Sequence, residues 1–383
     1  MSVEQAVITE VDRKKAKKIT AIRQCLQRVP VDVEGLRRCS VTEFGFVNND
    51  IRTSVWPILL DINQSKIINH ESAIIEHKDT DQVTKDVERS MWRFTKGKSK
   101  LREKKRAELT RIINAILSLY PQLHYFQGYH EIGSILLMVT NERLSFAMLE
   151  RLSLNHIGDS MRPSFSEVSK ILNLLFPLLS FVDKQTHQFI VNSEVQPMFA
   201  ISWLITWFAH NFEELEPTAR LFDFFLASHP LIPLYFSLIT YLKKDLLKLE
   251  CAYDTVHHYF SNLPDDLPLD LLIQQTQKLY DKIPPKKLQE RADIQLSIES
   301  PMTNYPFNWM ISIHGKQQKR SHYRYYVLGL LVLGASFLFA YLNTSKAYGP
   351  YIGSLGISSQ RFIHSLGNSG ANWLSSIKKY IGY

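Results

Sequence analysis

Cysteine is scarce in this chain of 383 residues, and no pair of cysteines forms a CxxC motif. The three cysteines are Cys25, Cys39 and Cys251. This odd, widely spaced set indicates neither a disulfide framework nor a metal site, and it suits a reducing compartment. His257 and His258 lie near Asp254, but no second cluster of ligands follows at a suitable spacing, so we expect no metal. The sequence also lacks a GxxxxGK[ST] loop and a nucleophile elbow, which argues against GTP binding by the chain itself and against a Ser-His-Asp hydrolase.

An apolar segment is missing from the beginning of the chain, where residues 1–24 are rich in charge and do not resemble a signal peptide. The formal net charge is +8, and the basic excess lies in three runs, 13–18, 96–106 and 316–324. No RNP, homeodomain or zinc-finger pattern accompanies these runs, so nucleic acid is not an expected partner. The run 96–106 has two interpretations, a solvated loop and helix start or a surface that contacts an acidic partner or anionic lipid.

Strand-like alternation is also missing, and helical periodicity takes its place over about residues 46–260. Apolar residues recur there at three- and four-residue spacing, which is typical of helices that pack on one another. One such face consists of Leu109, Ile112, Ile113, Ile116, Leu117 and Tyr120. The pattern predicts an all-α domain at 46–260, preceded by a charged helix and connector at 1–45. Residues 261–320 are polar and rich in proline, and we expect a helical extension that ends in a linker.

A stretch without charge occupies residues 325–345. As a helix, it is about 31 Å long, which is enough to cross a bilayer. More basic residues precede it than follow it, so the positive-inside rule places the N-terminal body in the cytosol. These residues are Lys316, Lys319, Arg320 and Arg324 before the stretch and Lys346 after it. We expect one transmembrane helix, with a short tail at 346–383 that lies on the far side or returns to the cytosolic leaflet if the stretch forms a hairpin.

Two short segments carry the chemistry. The first is Val83-x-x-Asp86-x-x-Arg89, and the second is Tyr125-Phe126-Gln127-Gly128. They resemble the arginine-finger and glutamine-finger motifs of the TBC domain of Rab GTPase-activating proteins. Three further blocks are similar to the family in the same order. These blocks are Ile51-Arg52-Thr53-Ser54-Val55-Trp56-Pro57-Ile58-Leu59-Leu60, Pro197-Met198-Phe199-Ala200-Ile201-Ser202-Trp203 with Trp207-Phe208, and Arg220-Leu221-Phe222-Asp223.

The resemblance implies a two-subdomain helical TBC fold and a mechanism in which the two fingers act on a partner. Arg89 is expected to neutralise charge that develops on the phosphates of GTP, and Gln127 to orient the attacking water. Asp86 is expected to hold the guanidinium of Arg89. Gly128 allows a close backbone approach or an unusual conformation. GTP and Mg²⁺ would belong to the GTP-bound Rab, so that the chain needs no cofactor of its own.

Tyr125 is expected to support the site as part of the glutamine-finger motif. Arg52 and Trp56 are expected in the inner scaffold, with Arg52 bonding near the finger loops. We also expect Trp203 and Asp223 to be structural rather than chemical.

Within the family, the sequence around Gln127, Trp203 and Asp223 is most similar to that of an ER-anchored member. This implies a protein of the endoplasmic reticulum membrane, with the Golgi as the alternative, that acts on a Rab between these two compartments. The alternative is a non-catalytic, membrane-anchored scaffold that binds a Rab without accelerating hydrolysis. The presence of both finger residues argues against that alternative.

Overall fold

The computed structural model describes residues 3–73, 76–241, 246–261, 263–264 and 266–306, and their regular structure is entirely helical. The α-helices are α1 (Val3–Gln27), α2 (Val33–Val41), α3 (Asn49–Leu59), α4 (Thr80–Glu88), α5 (Ser99–Leu119), α6 (Tyr129–Val139), α7 (Glu142–Leu154), α8 (Ser166–Asn173), α9 (Leu175–Val182), α10 (Lys184–Asn192), α11 (Ile201–Thr206), α12 (Leu215–Leu226), α13 (Ile232–Tyr241), α14 (Tyr253–Ser261), α15 (Leu269–Lys282) and α16 (Pro285–Ala292). Short 3₁₀ helices are Gln64–Lys66, His70–Ala73, Arg93–Thr95, Gly158–Met161, Pro197–Ala200 and Leu246–Lys248. The all-α prediction is confirmed for these residues.

The predicted membrane stretch at 325–345 and the tail at 346–383 lie outside the residues that the structure describes. Within the described ranges, no helix is both long enough and apolar enough to cross a bilayer.

Side-chain caps set where several helices begin. The Asn48 side chain accepts a hydrogen bond from the N–H of Ile51 at 3.0 Å and starts α3. The Asn141 side chain does the same for Leu144 at 3.0 Å and starts α7. Each cap satisfies an N–H that has no partner within its helix, and replacing such a residue with alanine typically costs about 1 kcal/mol.

Helix α5 is the centre of the N-terminal half, because it packs against α4, α6 and α7. The residues from Leu109 to Leu117 that were predicted to form its apolar face are buried. Another part of the same hydrophobic core lies around α11, α12 and α13, where the rings of Trp203 and Phe208 stack at 5.6 Å and Phe236 meets Phe208 edge-on at 5.1 Å. The burial of Trp203 agrees with its expected structural role.

A buried ion network fastens α3 to α12. Arg52 Nε donates to Asp223 Oδ1 at 3.1 Å, and its two terminal nitrogens donate to the Glu216 carboxylate at 2.7 and 2.6 Å. Asp223 also accepts from Trp56 Nε1 at 2.8 Å and from the N–H of Phe46 at 3.0 Å. Burial alone would lower the pKa of Arg52, but the two carboxylates outweigh it and raise the pKa.

This network also corrects one expectation. The side-chain hydrogen bonds of Arg52 go to Asn49, Glu216 and Asp223, and none goes to the loops that carry the two finger residues. Arg52 therefore supports the fold by joining two helices, rather than by contacting the site.

Candidate functional site

Arg89 lies at the C-terminal end of α4, where the helix stops. Its side chain is 70% exposed, yet its direction is fixed by two hydrogen bonds. Nη2 donates to Asp86 Oδ1 at 2.7 Å, and Nε donates to the carbonyl of Lys85 at 3.2 Å. The guanidinium is therefore oriented while one side of it stays open to a partner.

Asp86 is the buried anchor of this arrangement, with a side chain that is 1% exposed. Besides Arg89, its carboxylate accepts from Gln82 Nε2 at 2.9 Å and from the Tyr125 hydroxyl at 3.0 Å. Three donors satisfy a carboxylate that would otherwise be costly to bury. The i, i+3 spacing of Asp86 and Arg89 on one helix turn makes this contact possible.

Tyr125 connects the two predicted finger segments. Its hydroxyl lies 3.0 Å from Asp86 Oδ2 and 3.0 Å from His130 Nδ1, and its N–H donates to Asp79 Oδ2 at 3.1 Å. Burial and the neighbouring Asp86 carboxylate raise the pKa of Tyr125, so it is a neutral donor at ordinary pH. A hydrogen-bonded path thus runs from Arg89 through Asp86 to Tyr125, two residues before Gln127.

Gln127 is exposed in the turn that leads into α6. Gly128, which caps that helix, has φ of +108°, a conformation that residues with a Cβ rarely adopt. A Cβ added at Gly128 would also lie 2.8 Å from Thr206 Cγ2. The glycine therefore permits a tight turn against α11, and this turn presents the Gln127 amide to solvent.

Sequence reasoning did not find a cluster of polar groups that surrounds Glu131 near the site. Glu131 accepts from Arg93 Nη2 at 3.3 Å and lies 3.5 Å from His130 Nε2 and 3.6 Å from His210 Nδ1. Burial alone would raise the pKa of Glu131, but the two histidines and Arg93 lower it to about 2. Glu131 thus stays ionised and joins the loop after α4 to α6 and to the loop after α11.

No local sequence pattern indicates the Glu131 cluster, because its members come from three separate parts of the sequence. Arg93 also donates to the carbonyls of His210 at 2.6 Å and Phe212 at 3.0 Å, so it joins the segment after Arg89 to the loop after α11.

The arrangement combines an exposed, always-charged guanidinium with an exposed amide on a neighbouring loop. A guanidinium can neutralise charge on phosphate oxygens, and an amide can both donate to and accept from a water molecule.

Comparison with known proteins tests the resemblance seen in the sequence. The Rab-GTPase-TBC domain family matches residues 49–247, a little more than half of the chain. The chain belongs to this family.

Curated relatives agree with the assignment of this TBC protein. It is 40% identical over 295 residues to TBC1 domain family member 20 of Homo sapiens, which covers 76% of this chain and 73% of that protein. The Mus musculus protein of the same name is 39% identical over the same shares. GTPase-activating protein gyp10 of Schizosaccharomyces pombe is 30% identical over 261 residues, 66% of this chain and 70% of that protein. The predicted family is thus confirmed.

A solved structure agrees with the TBC fold. The crystal structure of the Ypt/Rab-GAP domain of Gyp1p superposes with a TM-score of 0.56 and 15% identity, covering 70% of this chain and 98% of that one. At this level of identity, the likeness concerns the fold alone.

Proposed function

We propose that this TBC protein stimulates GTP hydrolysis by a Rab GTPase, with Arg89 and Gln127 inserted beside the nucleotide. The observation that carries the proposal is the exposed Arg89 guanidinium, which a buried Asp86 orients and which Tyr125 connects to the loop of Gln127. Family membership and relatives named as GTPase-activating proteins support the same activity.

Electrostatics gives Arg89 its role. Charge builds on the γ-phosphate and on the bridge to the β-phosphate as the bond breaks, and an arginine supplied in trans typically accelerates hydrolysis about 10³–10⁵-fold. This corresponds to roughly 4–7 kcal/mol of barrier. The guanidinium of Arg89 uses Nε and Nη2 within its own chain, so its remaining N–H donors are available for phosphate oxygens.

Gln127 would act on the attacking water. Its amide oxygen can accept a hydrogen bond from the water while its NH₂ group donates one elsewhere, which fixes the water in line with the bond that breaks. In this mechanism, the glutamine stands in for the glutamine of the GTPase. GTP and Mg²⁺ are carried by the Rab, and the TBC protein contributes no cofactor.

We further propose that the substrate is a Rab of the pathway between the endoplasmic reticulum and the Golgi, and that the protein is held in the endoplasmic reticulum membrane by residues 325–345. The support is the uncharged stretch, the basic residues that precede it and the resemblance to an ER-anchored member of the family. Anchoring would raise the effective concentration of the domain for Rabs on the same surface.

A single-turnover assay tests the activity. The full chain in detergent and a chain shortened after residue 320 are each mixed with a panel of GTP-loaded Rabs, and the rate of phosphate release is measured. We expect strong stimulation of at least one Rab by both proteins. Binding without any stimulation would instead support the alternative, a membrane-anchored Rab-binding scaffold.

Membrane insertion is tested separately. An epitope fused after Tyr383 is expected to resist protease in sealed microsomes, while residues before 324 are digested. Digestion of the epitope would show that the tail at 346–383 returns to the cytosolic side, and it would leave the proposed activity unaffected. In cells, the chain shortened after residue 320 is expected to lose its effect on the Rab.

A further inference from the structure

An exposed aromatic side chain lies immediately beyond Arg89. Trp92 is 55% exposed, although tryptophan is usually largely buried. The Cζ atom of Arg102 lies 3.4 Å from the centroid of the Trp92 ring, and that of Arg106 lies 5.1 Å from it. Both arginines are therefore within cation–π range of one indole. We call Trp92, Arg102 and Arg106 the Trp92 surface.

The Trp92 surface is attached to the backbone of the Arg89 segment. Arg106 Nη2 and Nε donate to the carbonyl of Ser90 at 2.7 and 3.1 Å, and Ser90 directly follows Arg89. Because Trp92 is three residues after Arg89, their Cα atoms are at most about 11 Å apart. The surface is thus fixed to the chain segment that carries the proposed arginine finger.

The charge of this region is only partly balanced. Burial and the like charge of Arg102 lower the pKa of Arg106, while Glu88 and Glu103 act in the opposite direction. Lys98, one turn before Arg102, is also exposed and adds further positive charge. A carboxylate brought by a partner would relieve the repulsion between the two stacked arginines.

We propose that the Trp92 surface is a docking site for the GTPase substrate, with Trp92 seated in an apolar recess of the GTPase and Arg102 paired with an acidic side chain beside that recess. This inference rests on the proposed function, because it assumes that Arg89 reaches the nucleotide of the partner. The sequence left the run 96–106 as either a solvated segment or a partner-binding surface. The inference assigns partner binding to the face of α5 that carries Arg102 and Arg106.

Interface size carries the argument. A stable protein–protein interface covers about 800 Å² on each partner, which corresponds to a disc of roughly 16 Å radius. An interface of this size centred on Arg89 extends far enough to include Trp92. Binding energy in such interfaces concentrates in a few tryptophan, tyrosine and arginine side chains near the centre, and this surface supplies one Trp and two Arg.

Anionic lipid is the competing occupant, since exposed tryptophan with basic residues also suits a membrane surface. Geometry favours the GTPase. A bilayer in contact with Trp92 would lie against the short segment that also carries Arg89, whose Cα atom is at most about 11 Å from that of Trp92. It would compete for the space that the GTPase needs in order to present its nucleotide.

The test uses the full chain in detergent and three variants. Trp92→Ala and Arg102→Gln remove the proposed contacts. Lys104→Gln is the matched control, because it removes a charge from the same helix but lies about 200° around α5 from Arg102, where it faces Glu108 at 3.8 Å. Thermal unfolding checks that all variants are folded. Single-turnover hydrolysis at increasing protein concentration then gives the maximal rate and the concentration for half of it.

For Trp92→Ala we expect the half-maximal concentration to rise by roughly thirtyfold, as for a central hot-spot residue, with the maximal rate within about twofold of wild type. Arg102→Gln should raise it less and should weaken its dependence on salt. Lys104→Gln should match wild type. An unchanged half-maximal concentration in Trp92→Ala would overturn the inference, and if that variant also lost binding to vesicles containing phosphatidylserine, lipid would be the partner. A lower maximal rate at unchanged half-maximal concentration would also overturn it, because Trp92 would then only position Arg89.

A binding measurement separates this inference from the proposed function. Rabs loaded with the non-hydrolysable analogue GppNHp are captured on a sensor, and each protein is passed over them. If the wild-type protein binds a Rab but does not stimulate hydrolysis, the proposed function fails while weaker binding by Trp92→Ala still supports the docking site. Equal binding by wild type and Trp92→Ala overturns the docking site in either case.

Discussion

Replacing Arg89 with alanine is expected to remove catalysis while leaving the stability of the fold almost unchanged. The side chain is 70% exposed and its interactions within the chain are the Asp86 and Lys85 hydrogen bonds, so it contributes little to the core. After truncation, Asp86 still accepts from Gln82 and Tyr125 and is not left as an isolated buried charge. We estimate a loss of about 1 kcal/mol in the free energy of unfolding, because solvent screens an exposed ion pair.

The expected effect on the reaction is much larger. Loss of an arginine supplied in trans should lower the maximal single-turnover rate by about 10³–10⁵-fold, or roughly 4–7 kcal/mol of barrier. Arg89→Lys should not restore it, because an ammonium group cannot hold the Asp86 carboxylate and contact phosphate oxygens with the same planar set of donors.

The assay measures phosphate release from a GTP-loaded Rab at saturating concentrations of the TBC protein, together with urea unfolding of each variant. Arg13→Ala is a matched control, since Arg13 is 68% exposed and pairs with Glu10 at the same i, i+3 spacing on α1, far along the chain from the site. A maximal rate for Arg89→Ala within a few-fold of wild type would refute the assignment. A large loss of stability would show that the reasoning from exposure is wrong.

Three further outcomes are expected. Gln127→Ala should also severely reduce the maximal rate, whereas a Rab whose own switch glutamine is replaced should still respond to the wild-type TBC protein; complete resistance of that Rab would contradict a glutamine acting in trans. Arg52→Ala should lower the free energy of unfolding in urea by roughly 3–5 kcal/mol, because it leaves the Asp223 carboxylate buried without its main partner, while a hydrolysis rate corrected for the folded fraction should be unchanged. Burial lowers the pKa of His229 to about 4, so this residue is neutral when folded and binds a proton more readily when unfolded. The free energy of unfolding should therefore fall as the pH drops from about 6.5 toward 4. In urea titrations over this pH range, the slope for His229→Gln should be smaller than that for wild type by the amount that corresponds to about one proton.

The fold was predictable from the sequence because helical periodicity is a local property. The three- and four-residue spacing from Leu109 to Leu117 was enough to identify the buried face of α5. The all-α class followed in the same way. The two candidate finger segments could be selected by their resemblance to family motifs, because each is short and contiguous, and their catalytic roles stay a prediction.

Contacts between distant segments were not predictable. Arg52 was expected near the finger loops, but its partners Glu216 and Asp223 lie on α12, and nothing in a single sequence states which carboxylate a guanidinium will find. For the same reason, the sequence did not predict the Glu131 cluster, because it depends on Arg93 and His210 approaching from separate loops. A residue type sets which partners are possible, whereas tertiary packing decides among them.

The run 96–106 shows where local reasoning ends. The i, i+4 spacing of Arg102 and Arg106 places both on one face of a helix, and this much is readable from the sequence. The approach of Trp92 to that face is not, because the chain turns between them through the 3₁₀ helix Arg93–Thr95 and through Gly97, with φ of +72°. Periodicity does not continue across such a turn. Sequence reasoning therefore left solvent and partner as equal interpretations. The proposed docking site rests instead on the exposed indole of Trp92, three residues after Arg89, and on its cation–π contacts with both arginines.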